Sequence, residues 1–125
     1  MKIGIPLFGT RISPRFDCSQ TFLVIEVEDG QNIQKQIVFV CESSPIKRIR
    51  NLAALHIDTL ICGGIDAFSE RQLYFHGIRV FSWITGEAEA VLCCFLEGKL
   101  ESGMMMGADG RCCGRWRFRR GSRHL

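Results

Sequence analysis

Seven cysteines in 125 residues supply enough soft donors to hold a metal cluster, and their spacing decides which of them are candidates. Cys112 and Cys113 are adjacent within RCCGRWRFRRGSRHL (residues 111–125), where no aliphatic side chain precedes the final leucine to bury them. Adjacent side chains diverge, so the pair chelates less well than CxxC, and no second pair with metal spacing completes a four-cysteine site. Flanking arginines still lower a thiol's pKa and ready it as a ligand. Cys62 ends DTLIC directly before Gly63-Gly64, and Cys18 ends the loop LFGTRISPRFDC; both could bring a thiolate to one crevice. Cys62 also reads as a small buried residue. Cys41, Cys93 and Cys94 read as packing residues, and His56, His76 and His124 as capping or solvated ones.

The same crevice offers anion chemistry. Gly63 and Gly64 lead into a helix N-terminus, where unpaired N–H groups and the helix dipole favour negative charge. Arg11 and Arg15 add cations from the opposing loop, which also carries Ser13, and the turn SWITG brings Thr85. The alternative is a tight strand-to-helix turn with solvated arginines, since neither GxGxxG nor GxxxxGK[ST] is present. Catalytic sets are missing. The strand KIGIP carries no carboxylate to pair with Asp58 or Asp66 around two metals, and there is no GxSxG or evident Ser, His and Asp set.

Positioning these groups requires a layered α/β domain. Lys2–Leu7 is an apolar run, and Thr21–Val27 and Ile33–Val40 flank EDGQN as an antiparallel pair. Ser43 or Ser44 caps a helix with Pro45 at its first position, reaching about Leu55, with Ile46, Ile49, Leu52 and Ala53 at helical spacing. Asp58–Cys62 is a strand buried on both faces, and Asp66 caps a second helix that stops at Gly77. Arg79–Ser82 is the last strand. A third helix opens at Thr85, repeats Ala88, Val91, Leu92, Phe95 and Leu96, and closes at Gly98. The order β-β-β-α-β-α-β-α predicts one mixed sheet with helices on both faces and the first strand parallel to DTLIC, with their carboxyl ends forming the crevice. From Glu101 onward no period survives, and residues 101–125 read as a flexible Cys- and Arg-rich tail.

A hydrophobic fraction of 46% with nine phenylalanines suits one domain with a substantial core. The net charge of +3 is split: residues 1–110 hold ten Lys and Arg against thirteen Asp and Glu, whereas 111–125 hold six arginines and no acid. Such a basic end seeks a polyanion or an acidic partner, or only solubilises. A nucleic-acid module acting through Arg115, Arg117, Arg119 and Arg120 with Trp116 and Phe118 is the alternative function, and the acidic body argues against it. The start MKIGIPLFG lacks the features of a signal peptide and no apolar run spans a membrane, so a cytoplasmic protein with reduced thiols is expected.

The run MKIGIPLFGTRISPRFDCSQTFLVIEVEDG, with Ser13, Phe16 and Glu28-Asp29-Gly30, resembles the opening of the dinitrogenase iron-molybdenum cofactor biosynthesis family, the NifX/NafY-like proteins and the NifB C-terminal domain. A second stretch is similar at Gly63, Gly64, Gly77, Ile78, Val80, Thr85, Gly86 and Gly98-Lys99-Leu100, and a subset of the family ends in a comparable C-C-G and arginine-rich tail. The resemblance covers about residues 1–100. It implies a ribonuclease-H-like three-layer fold with a mixed five-stranded sheet, and non-catalytic binding or carriage of an iron-sulfur or iron-molybdenum cluster precursor. A cluster-donor or cluster-acceptor protein would be the partner. The ligand assignments to Cys62, Cys18, Cys112 and Cys113 come from the residues, not from the family.

Overall fold

The computed structural model describes residues 1–28, 31–40, 44–106 and 112–115. The chain forms β1 (Lys2–Phe8), β2 (Arg11–Ile12), a 3-10 turn (Phe16–Cys18), β3 (Thr21–Glu28), β4 (Gln31–Phe39), α1 (Pro45–Ala54), β5 (Thr59–Ile61), α2 (Ala67–Phe75), β6 (Arg79–Phe81), α3 (Ala88–Leu96), β7 (Met104–Met106) and β8 (Cys112–Arg115). Five strands run in the order β4-β3-β1-β5-β6, and the two-residue β2 pairs with β1 as a sixth. Strands β1 and β3 are antiparallel, as are β3 and β4, while β1, β5 and β6 are mutually parallel. The mixed sheet and the central place of β1 beside β5 are as expected.

Period-2 alternation divides the sheet's side chains between two cores. Ile3, Ile5, Leu23, Ile25 and Ile61 pack with Ala88, Val91 and Leu92 of α3 on one face. Phe22, Val24, Leu60 and Cys62 pack with Ile49 and Leu52 of α1 and Leu73 of α2 on the other. Each fully buried side chain of this size contributes about 1.5–3 kcal/mol, so both layers are held by burial. Phe16 meets Phe22 edge-on at 6.2 Å between centroids, drawing the 3-10 turn onto the α1/α2 face.

The helix limits have local causes. Ser44 precedes α1, with Pro45 at its first position. Asp66 caps α2 by accepting a hydrogen bond from the Ser69 N–H, and Gly77, at φ +77°, makes the left-handed exit that a Cβ would disfavour. The buried stripe of α1 differs from the expected one: Ile46 is exposed, and Arg48, Ile49 and Leu52 face inward.

The segment after Glu101 also departs from expectation where it is described. Met104–Met106 and Cys112–Arg115 form an antiparallel ribbon, with Met106 opposite Cys112 and Met105 opposite Gly114. Its root is anchored: Gly103 donates to the Ser82 carbonyl, Thr85 donates to that of Met104, and Met104 is buried against the α3 core. Residues 107–111 and 116–125 lie outside the described residues, and with them the tail arginines from Arg117 onward, Trp116, Phe118 and His124; so do Asp29, Gly30 and Cys41. Among the described residues, no helix is long and apolar enough to cross a membrane.

Candidate functional site

Strands β1 and β5 run parallel with Gly4 beside Leu60, β1 continues past the end of β5 to Phe8, and the loop after β2 folds back over the end of β5, where Arg15 pairs with Gly64. Ser13 donates its N–H to the Pro6 carbonyl at 2.8 Å, and its hydroxyl donates to the Arg15 carbonyl at 2.9 Å. Gly64 donates to the Pro14 carbonyl at 2.7 Å and accepts from the Phe16 N–H at 2.8 Å. The loop is thereby joined to the diglycine turn by a reciprocal pair of peptide hydrogen bonds. A Cβ on Gly63 would lie 2.4 Å from the Ser13 oxygen and 2.7 Å from that of Pro14, so residue 63 must be glycine for the loop to approach.

This closure corrects the expected crevice. The corner at Gly63-Gly64 is filled by loop backbone rather than left as an anion notch. The N-terminus of α2 is likewise occupied: the Asp66 carboxylate accepts from the Ser69 N–H at 3.0 Å and from the Ser69 hydroxyl at 2.7 Å. Although burial raises the Asp66 pKa, these Ser69 bonds and the backbone donors outweigh it and hold the pKa below the ordinary value. A carboxylate at that helix end repels the guest that the diglycine motif suggested.

Cys62 is corrected too. It is wholly buried among Leu60, Leu73 and Ile78 on the α1/α2 face, and burial, with the Glu70 charge adding, pushes its thiol pKa far up. Strand alternation turned it into the core even though it stands at the strand end, so its sulfur faces apolar side chains and not the loop. Cys94 is buried beneath α3 as a packing residue, whereas Cys93 is exposed, which corrects its reading as one.

Two depressions flank the loop. One, of about 500 Å³, is lined by Pro14, Arg15, Asp17, Gly64, Ile65, Asp66 and Trp83. The other, of about 440 Å³, shares Pro14 and Arg15, with Leu7, Phe8, Gly9, Ser13, Ser19, Gln20 and Thr21 as its remaining walls. Arg15 borders both, and its guanidinium donates to Asp17 at 2.9 Å. Arg11 lines neither: it sits on β2 as the partner of Phe8, and its backbone forms an antiparallel bridge with that of Glu87 just before α3. Thr85 is tied to the β7 ribbon instead. Ser13 and Gly64 do line the openings, although each also holds the loop in place. Cys18 lies on the 3-10 turn and Cys112 and Cys113 on β8.

Sequence reasoning missed two residues here. Trp83 adopts φ +59°, a left-handed conformation costly for a large side chain, while its N–H donates to Gly63 at 2.8 Å and its ring forms a wall beside Gly64. Nothing in residue type announces such a backbone. Arg48 is 3% exposed; its guanidinium donates to the Ser19 carbonyl and, at 3.3 Å, to that of Asp17, and lies 5.8 Å from the Phe16 ring centroid. It fixes the far end of the loop from α1. Its signal was legible: Arg48 stands beside Ile49 and four residues before Leu52, on an inward stripe that includes a cation.

The family model for dinitrogenase iron-molybdenum cofactor matches residues 1–98. The chain belongs to that family. Protein MJ0580 of Methanocaldococcus jannaschii is 26% identical over 106 residues, covering 81% of this chain and 90% of the relative. The crystal structure of PH0822 superposes with a TM-score of 0.75 at 21% identity, covering 82% of this chain and 94% of that one. The apo form of the orange protein from Desulfovibrio gigas superposes at 0.68 and 19% identity, covering 81% and 91%. These two structures share the fold of this family member. The family ties the chain to iron-molybdenum cofactor chemistry. Among the described residues, no group of three or more His, Cys, Asp and Glu side chains is arranged to hold a metal ion.

Proposed function

We propose that the chain binds or carries an iron-sulfur or iron-molybdenum cluster precursor as cargo, without turning it over. The observation that supports this most is the family match over residues 1–98. The depressions beside Arg15 add a physical reason: they combine a guanidinium, which suits weakly hydrated anions, with apolar walls from Leu7, Phe8, Ile65 and Trp83. The described side chains do not form a complete ligand set, so contact with iron falls in this reading to Cys18 on the loop turn and Cys112 and Cys113 on the ribbon strand. Ser13, Gly63 and Gly64 shape the loop around the cargo, and Arg15 neutralises charge. A second protein delivers or receives the cluster, and the host compartment is the reducing cytoplasm.

The test is anaerobic purification, followed by iron and sulfide analysis and absorption spectroscopy after a cluster is offered. Cargo binding is expected in the wild-type chain and, undiminished, in Cys62→Ala, because that thiol faces the core. Loss of iron is expected when Cys112 and Cys113 are both replaced by serine. A chain that stays colourless when offered clusters would overturn the reading, and iron content unchanged in the double-serine variant would remove the ribbon from it.

A further inference from the structure

The two depressions share Arg15 but differ in charge. On the Trp83 side, the walls include two carboxylates, Asp17 and Asp66. On the Phe8 side, no lining residue is acidic, and polar groups are supplied by Ser13, Arg15, Ser19, Gln20 and Thr21. Asp17 therefore does two things at once: it engages the Arg15 guanidinium at 2.9 Å and it places negative charge in one opening only. The pair is exposed, with side-chain accessibilities of 66% for Arg15 and 45% for Asp17, so it is a weak contact that another anion can exchange with. Arg48 holds the Asp17 and Ser19 carbonyls from beneath, so the backbone under the pair stays fixed while the two side chains exchange partners.

We infer that Asp17 is a built-in competitor for the anionic guest: the guest displaces its carboxylate from Arg15 and is received on the Phe8 side, where no carboxylate opposes it. Asp17 is thus a specificity-determining residue, setting how strong an anion must be to enter. A weakly charged or strongly hydrated anion gains too little from one guanidinium to replace a carboxylate already in place. A sulfur-rich dianion with a soft body gains both the guanidinium and the apolar walls of Leu7, Phe8 and Pro14. The identity of the guest as a cluster precursor rests on the function proposed above, whereas the competition between Asp17 and an anion does not.

The experiment titrates the full chain with sodium thiosulfate, a small sulfur-bearing dianion, at fixed low ionic strength, following backbone amide shifts. Movement is expected at Gly9, Gln20 and Thr21 on the Phe8 side. Asp17→Asn should bind about two- to fivefold more tightly than wild type, the range an exposed ion pair spans. Arg15→Gln should abolish the shifts. Asp66→Asn is the control, since it removes the same charge nearby, keeps a capping side chain and leaves the Arg15 pair intact. It should gain less than Asp17→Asn. Equal gains in the two variants, no gain in Asp17→Asn, no binding to either chain, or shifts centred on Ile65 and Trp83 would each overturn the inference. Cluster loading separates the two claims. A colourless protein whose thiosulfate affinity still rises in Asp17→Asn keeps the competitor and loses the cargo reading; cluster loading without any effect of Asp17 does the reverse.

Discussion

The diglycine corner and the Phe8 depression both adjoin Pro14, yet backbone fills the first and the second stays open. At the corner, Gly64 exchanges hydrogen bonds with Pro14 and Phe16, and Gly63 comes so close to Ser13 that no Cβ fits between them. By contrast, Leu7, Phe8, Gln20 and Thr21 border an opening of about 440 Å³. The glycines are there to let two chain segments meet, and their peptide groups are used in doing so. In the function proposed above, recognition is left to side chains, chiefly Arg15, which borders both depressions beside the closed corner.

The strongest way to break this contrast is Gly63→Ala. Its new Cβ meets backbone oxygens at 2.4 and 2.7 Å, and neither can swing aside without moving the loop. A loss of about 3 kcal/mol is expected, lowering Tm by roughly 10 °C. Gly64→Ala is milder, near ~1 kcal/mol, because its contacts at 3.1–3.3 Å include the Trp83 ring edge, which can shift. Gly4→Ala, whose Cβ would meet only apolar side-chain atoms at 3.5 Å and beyond, should stay near wild type. Thermal melts of the three variants check the order; equal losses at 63 and 4 would mean that the corner is not closed as described.

The next effect comes from beneath the loop. Arg48→Met keeps the apolar stem but removes the donors to the Ser19 and Asp17 carbonyls, and a buried acceptor left without a partner costs about 1–3 kcal/mol. A loss of about 2 kcal/mol is expected by denaturant titration. Amide shifts should change at residues 16–19 while those of the Gly63-Gly64 turn move less. Shifts confined to α1 would show that the loop is held without this arginine.

Much of the framework was legible because it depends on local patterns. DTLIC reads as a doubly buried strand, Asp66 as a cap and Gly77 as a left-handed stop, and the strand-helix alternation dictates the parallel pairs. The site was less legible because it depends on how distant segments meet. That Cys62 lies at a strand end was visible, but its direction follows from the two-residue alternation that also sends Leu60 to the α1/α2 core. The filling of the corner by Ser13 and Pro14 is a contact between segments far apart in the chain that no spacing rule announces. Trp83 was hidden for a different reason, since a positive φ at a large residue is imposed by its surroundings. The ribbon at Met104–Met106 and Cys112–Arg115 escaped because three methionines and a glycine-rich stretch carry no period to read.

The smallest effect sharpens the comparison from the Trp83 side. Asp66→Ala removes the α2 cap and should cost about 1 kcal/mol. Its pH dependence has a definite sign: the native pKa of Asp66 is held below the unfolded value, so the unfolded chain binds its proton first as pH falls. The contribution is therefore complete above the ordinary carboxylate pKa of about 4 and is lost as pH drops through the lower native value. Wild type should accordingly lose its advantage over Asp66→Ala in acid, with the two unfolding curves converging below about pH 4 and remaining parallel at neutral pH. A gap that persists unchanged in acid would mean that the carboxylate is not what holds this helix end, and would reopen the α2 terminus to an anionic guest.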